Sequence, residues 1–316
     1  MRVLITGVTG FVGGHMAEAL LAEGSHDVWG LSRQNHWPRE WSHLQKQVPL
    51  HLVDWSDETA LVSFLEENQP QWIIHLAAYA NSGTSIQEPE TTWRANFSLT
   101  KSLYEAILRS RIQPRILFVS SGLIYGESDF PNQPSDERTT LKPGNPYATS
   151  KAAADLLSYQ YTRNPRLDIV RARPFNHIGP KQSPDYAAPN FARQLVAIEK
   201  GQQPPVVETG DLSGQRDLSD VRDVVQAYLH LLRKGTSGEA YNIGSGTTYR
   251  MQEILDLLVD MTQVPVEVRQ KLDPNRQGES VVTRADIRKI QQFTGWQPKI
   301  PIRETLQDML EDWRKR

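Results

Sequence analysis

The chain has 316 residues, of which 38 % are hydrophobic and 23 % charged, enough apolar material for a packed core and too much for a disordered polymer. A net charge of −2 gives no electrostatic reason to bind nucleic acid or a membrane surface, and the absence of cysteine excludes disulfides, thiolate nucleophiles and cysteine-ligated metals. No apolar run approaches the ~18 residues a membrane span requires, and the chain enters a strand pattern without an apolar leader, so a cytoplasmic protein with no nucleic-acid or membrane partner is expected.

Short apolar runs at residues 3–6, 27–31, 50–53, 72–76, 116–120 and 167–172 read as strands. Helix-sized segments such as 15–23 and 93–110 separate them. Regular alternation of this kind predicts an α/β fold with a doubly wound parallel sheet. After Arg173 prolines and glycines become frequent, and helical patterns recur at 221–233, 251–261 and 302–314. The expected organisation is a Rossmann-type domain over 1–173, with a returning segment near 217–245, and a smaller C-terminal α/β substrate lobe over 174–316.

The first strand runs into Gly7-Val8-Thr9-Gly10-Phe11-Val12-Gly13, which opens the first helix. Gly7 suits a tight turn, Gly10 lets backbone approach a pyrophosphate at the helix N-terminus, and Gly13 lets that helix pack closely on the sheet. An ordinary strand–turn–helix is the competing reading. At the end of the second strand, where an NAD-selective site places an acid on the ribose 2′-hydroxyl, Ser32 and Arg33 stand instead, and both suit a 2′-phosphate. NADP(H) is therefore the expected cofactor, with NAD(H) left open. Asp54 and Trp55, after the third strand, are candidates for the adenine, although an aspartate there also forms turns.

Tyr147 and Lys151 are spaced to share one helix face, and no other tyrosine has a lysine four residues on. A neighbouring ammonium favours phenolate, so Tyr147 is expected to titrate lower than a free tyrosine and to serve as an acid/base. Upstream, Ser120 and Ser121 close the strand at 116–120. Ser121 is the candidate to hydrogen-bond a reacting oxygen, with Ser120 structural.

The glycine loop, Ser121, Tyr147 and Lys151, in this order along nearly the whole chain, resemble the extended short-chain dehydrogenase/reductases. That resemblance implies a Ser-Tyr-Lys triad, oxidation or reduction at a sugar carbon, and a nucleotide sugar held in the second lobe. It implies contacts to the diphosphate from Asn176, in Arg173-Pro174-Phe175-Asn176-His177, and from Arg216, with Arg276 as a second clamp. Salt bridging by Arg216 and a solvated loop at Arg276 are the alternatives. The segments around 173–180, 220–228 and 295–298 are most similar to members that reduce 4-keto-6-deoxy sugars carried on GDP.

The same resemblance allows other reactions to be weighed. A 4,6-dehydratase carries an acid pair after the catalytic Ser/Thr, where Gly122-Leu123 stand. A GDP-fucose synthase needs a cysteine and a histidine, and here cysteine is absent and Lys181 follows Gly179-Pro180. A UDP-sugar 4-epimerase needs the same triad and remains the runner-up, and a non-catalytic NADP-binding protein would have no need of an intact triad. No metal is expected. A homodimer is expected through the helices around 93–109 and 147–161, which carry apolar residues such as Leu99, Leu103, Leu156 and Tyr159.

Overall fold

The computed structural model describes residues 1–55, 57–126, 133–271 and 283–316. In chain order the elements begin β1 (Arg2–Thr6), α1 (Phe11–Ala22), β2 (Asp27–Leu31), β3 (Leu50–His51), α2 (Glu58–Asn68), β4 (Trp72–His75), α3 (Pro89–Trp93), α4 (Leu99–Arg109), β5 (Arg115–Val119), α5 (Pro146–Arg163) and β6 (Asp168–Pro174). They continue with β7 (Asn176–Ile178), α6 (Ala187–Glu199), β8 (Val206–Thr209), β9 (Gln215–Asp220), α7 (Val221–Lys234), β10 (Ala240–Ile243), β11 (Thr248–Arg250), α8 (Met251–Thr262), β12 (Glu267–Gln270), α9 (Arg288–Thr294) and α10 (Ile302–Lys315).

Seven strands form one sheet in the order β10-β6-β5-β4-β1-β2-β3, every pairing parallel. This is the doubly wound, Rossmann-type sheet that the alternating pattern predicts. The strand order reverses between β1 and β4, and such a switch point opens a crevice at the carboxyl ends of the strands. The central strands are apolar on both faces because helices cover both. One core gathers Val3, Ile5, Met16 and Leu20 with Val224, Tyr228 and Leu231 of α7; the other gathers Leu61, Phe64 and Leu103 with Ile116, Phe118 and Ile169.

The chain after β6 divides its elements. β7, β9 and β11 make a three-stranded sheet, and β8 pairs with β12. A third core packs α6, α8 and α10 through Phe191, Leu195, Ile254, Leu258, Leu306 and Leu310. α7, β10 and α9 instead join the large sheet, where β10 pairs with β6 and Trp296 enters the first core.

Two sequence expectations change. The helix read at 93–110 begins at Pro89 and is interrupted by a π-helical stretch, Arg94–Ser98, before α4. Leu103, expected on an outer helix face, is fully buried in the protein's own core, whereas Leu156 and Tyr159 are 57 % and 43 % exposed.

Candidate active site

β1 delivers the chain into Gly7 at φ +72°, a conformation glycine adopts without strain, and a Cβ there would lie 2.9 Å from the Ala77 amide nitrogen. Gly10 caps α1 in extended backbone, no side chain caps the helix, and its first turn carries no acid. The leading N–H groups are thus available to an anion. Gly13 presses on the loop, where a Cβ would come 2.3 Å from the Gly7 carbonyl oxygen. Phe11, the first residue of α1, stacks its ring on His177, and Val12 packs on the first core. The Ser32 hydroxyl lies 3.3 Å from that of Thr9 and accepts from the Gln34 N–H, tying the end of β2 to the glycine loop. Arg33 is exposed and without an ion-pair partner among the described residues. These features fit a dinucleotide whose pyrophosphate sits on α1, with a 2′-phosphate beside Ser32 and Arg33.

Beyond β5 the backbone at Ser121 is extended and caps a short 3₁₀ turn, Gly122–Tyr125, its hydroxyl accepting from the Leu123 N–H at 3.1 Å. α5 starts at Pro146, capped by Asn145, whose side chain accepts from the Ala148 N–H at 2.8 Å. Tyr147 therefore sits in the first turn of α5, where its phenol lies toward the Ser121 hydroxyl. One turn on, the Lys151 ammonium donates to the Val119 carbonyl and lies 4.9 Å from the centre of the Phe118 ring. The three candidates Ser121, Tyr147 and Lys151 thus lie at the carboxyl end of β5, whereas the Ser120 hydroxyl is buried without a hydrogen-bond partner among the described residues.

The electrostatics differ from the sequence expectation. Burial pushes the Tyr147 phenol up to about 12, and the neighbouring Ser121 hydroxyl offsets this only in part. Burial lowers Lys151 to about 8, with Asp155 opposing the shift. Lys151 spends its charge on the Val119 carbonyl, so desolvation of the phenol decides the direction. At neutral pH Tyr147 is a protonated donor.

The structure also reveals residues that carried no motif. Tyr147 is held by its backbone: its N–H donates to Ser85 Oγ at 3.3 Å, and its carbonyl accepts from Ser150 Oγ at 2.8 Å. Ser150 accepts from Asn96, which also receives the Tyr79 N–H at 2.7 Å. Asn96 thereby fastens the loop after β4 to α5. It lies on the buried stripe of Leu103 and Ile107 continued backwards through Thr100, and that stripe was the signal available in the sequence. Beneath the loop, buried His75 bonds Thr6 at 2.8 Å and Thr100 at 2.9 Å, and burial holds it neutral, near 3. Behind Lys151, Asp155 accepts from Arg171 at 2.5 Å and from Arg173 at 2.8 Å, all three buried.

The remaining candidates fall in three places. Asp54 is exposed, and Trp55 stacks at 5.9 Å on the His75 ring. Asn176 opens β7 and pairs in register with Leu218, two residues beyond Arg216 on β9. The neighbouring Asp217 is buried and accepts from the N–H groups of Ser245, Gly246 and Ala285, which anchors that strand. Arg276 lies outside the described residues.

Comparison with known proteins agrees with this geometry. The family model described as GDP-mannose 4,6 dehydratase matches residues 4–309. GDP-6-deoxy-D-mannose reductase of Pseudomonas aeruginosa is 34 % identical over 315 residues, covering 100 % of this chain and 98 % of that one. UDP-glucose 4-epimerase of Mycolicibacterium smegmatis is 30 % identical over 322 residues, covering 100 % and 99 %. The solved structure of RMD from Pseudomonas aeruginosa complexed with NADPH superposes with a TM-score of 0.85 at 32 % identity, covering 99 % of each chain. The chain belongs to the GDP-mannose 4,6-dehydratase family, within the extended short-chain dehydrogenase/reductase enzymes.

Proposed function

We propose that the protein is an NADPH-dependent 4-ketoreductase that converts GDP-4-keto-6-deoxy-D-mannose to GDP-D-rhamnose. The observation that carries this reading is the Tyr147 phenol, half-buried beside Ser121 and kept protonated by desolvation. A carbonyl reduction at C4 needs one acid, and this phenol supplies it. The 34 % identical relative named GDP-6-deoxy-D-mannose reductase and the NADPH-bound solved structure support the substrate and the cofactor.

NADPH, when bound, supplies the hydride. Tyr147 donates its proton to the C4 oxygen, and Ser121 hydrogen-bonds the same oxygen as negative charge builds there. Lys151, anchored on Val119 one turn along α5 from Tyr147, would hold the nicotinamide ribose when the cofactor is bound. Gly10 and α1 hold the pyrophosphate, Ser32 and Arg33 the 2′-phosphate, Asp54 and Trp55 the adenine side. Asn176 and Arg216 bind the sugar-nucleotide diphosphate, with Arg276 as the second clamp. The same reading includes a homodimer in the cytoplasm.

Competing reactions fit less well. A Cβ at Gly122 would come 2.8 Å from the Phe175 ring, so no acid of a dehydratase fits after Ser121. Lys181, where a fucose synthase has its histidine, turns its ammonium to Glu18. The 30 % identical UDP-glucose 4-epimerase keeps 4-epimerisation as the second reading. The deciding experiment follows NADPH absorbance against 4-keto-6-deoxy sugars on GDP, UDP and dTDP, with the product's C4 configuration assigned by NMR. Stoichiometric NADPH loss with the GDP sugar is expected. Interconversion of UDP-glucose and UDP-galactose without cofactor loss would establish the epimerase instead.

A further inference from the structure

Helix α1 does more than present its N-terminus. Its buried face meets the segment Gly179-Pro180-Lys181-Gln182, which follows β7 directly. Phe11 stacks on His177 with ring centres 6.1 Å apart and planes 10° from parallel, and it meets His15 edge-on at 5.5 Å. The His15 ring donates from Nε2 to the Pro180 carbonyl at 3.0 Å and packs edge-on against Trp41. One turn along α1, Glu18 accepts from Lys181 Nζ and from His43 Nε2, both at 2.8 Å. The Lys181 ammonium also sits 4.0 Å from the centre of the Trp41 ring, and its backbone N–H donates to Asp312 of α10 at 2.9 Å.

This cluster has the marks of a fastening. Lys181 adopts φ +68°, a left-handed conformation uncommon for a non-glycine residue. Burial would raise the Glu18 carboxyl, yet the Lys181 ammonium bonded to it and the His15 ring 3.6 Å away prevail and hold it at about 2. On its other side the segment reaches the candidate substrate site. Gln182 donates to the His177 carbonyl, its own Oε1 is buried without a partner among the described residues, and Asn176 and His177 precede it on β7.

We propose that Glu18 and Lys181 form a latch that fixes the substrate-facing segment 176–182 against the cofactor helix, so that Lys181 acts as a positioning residue for the nucleotide sugar. This inference rests on the assignment of Asn176 to the sugar nucleotide. A side chain on the dinucleotide helix thereby sets the place of groups that meet the other ligand. The latch explains why Lys181 faces α1 and why a non-glycine residue keeps a left-handed backbone there.

The test compares Glu18→Gln, Lys181→Met, their double variant, Lys181→Arg and Lys181→Gly, the last keeping the backbone conformation while deleting the side chain. With GDP-4-keto-6-deoxy-D-mannose and saturating NADPH, the first two should each raise KM about five- to tenfold, a typical coupling between sites. Their kcat and NADPH Kd should stay within about twofold, since neither residue touches the triad or the glycine loop. The double variant should be no worse than either single, because both remove one interaction. Lys181→Arg should restore KM and Lys181→Gly should not. Unchanged KM in the single variants, or additive losses in the double, would overturn the latch. If the wild type reduces no 4-keto-6-deoxy sugar, the functional reading fails by itself. The latch is then read from amide hydrogen exchange of the NADPH-bound protein, where Lys181→Met should speed exchange at Gly179, residue 181 and Gln182. Unchanged exchange there would again overturn it.

Discussion

Tyr147 shows how one side chain is prepared by its surroundings more than by its nearest charge. Its backbone is gripped by Ser85 and Ser150, and desolvation keeps its phenol protonated. Tyr147→Phe should lower kcat by about 10²–10⁴-fold, the range for loss of a positioned general acid, with NADPH affinity nearly unchanged by fluorescence titration. Lys151 predicts the pH behaviour. Its folded value of about 8 lies below the ordinary 10.5, so between these values the unfolded chain binds more protons and stability rises with pH. Urea unfolding from pH 8 to pH 10 should therefore show a gain that Lys151→Met lacks. Asp155 neutralises two buried arginines, so Asp155→Asn should cost about 3–5 kcal/mol by leaving them uncompensated. A loss under about 1 kcal/mol in chemical denaturation would show that the arginines find other partners.

At the scale of elements, the glycine loop depends on two close approaches made by a turn and a helix together. Gly13→Ala would place a methyl 2.3 Å from the Gly7 carbonyl oxygen, and backbone cannot yield as a side-chain tip can. About 1–3 kcal/mol of stability should be lost, together with most NADPH affinity, both measurable by thermal shift with and without cofactor. The loop after β2 carries the proposed 2′-phosphate contacts. Arg33→Ala should weaken NADPH relative to NADH by about 1.5–3 kcal/mol, the worth of a hydrogen bond to a charged group, and an unchanged preference would remove Arg33 from the site. The π-helical stretch before α4 belongs to the same scale. It surrounds Asn96, whose amide reaches both the β4 loop and α5.

For the whole molecule, the outer side of α5 leaves Leu156 and Tyr159 uncovered, which motivates the proposed two-fold contact. Light scattering at micromolar concentration should give the mass of a dimer, and Leu156→Glu should return it to a monomer. A monomeric wild type would show that these side chains face solvent. The chain also crosses between its sheets several times, with α7, β10 and α9 joined to the large sheet and α6, α8 and α10 packed together. The Asp223 carboxylate, at the start of α7, accepts from the N–H groups of Lys299 and Ile300, and α10 begins two residues later. Relatives that span the full chain are named as a reductase and as an epimerase, so one frame serves both.

What could be read along the chain was whatever depends on neighbours in sequence. Apolar period and turn residues determined the alternation of strands and helices, hence the parallel sheet, and put the strands at 27–31 and 72–76 within a residue of where they lie. Four-residue spacing placed Tyr147 and Lys151 on one face, and glycines three apart marked the loop. Short strands such as β8, β11 and β12 escaped notice because three or four residues carry too little pattern, and they form only by pairing with distant partners. The direction of the Tyr147 shift was misread for a related reason. A lysine four residues away is visible in sequence, but desolvation is set by everything packed around the phenol, and it outweighs that one charge. Asn96, Ser85 and Asp155 act across separations of 54, 62 and 16–18 residues, and Lys181 meets Glu18 across 163. Contacts of that span have no local signature, so only the folded chain decides them.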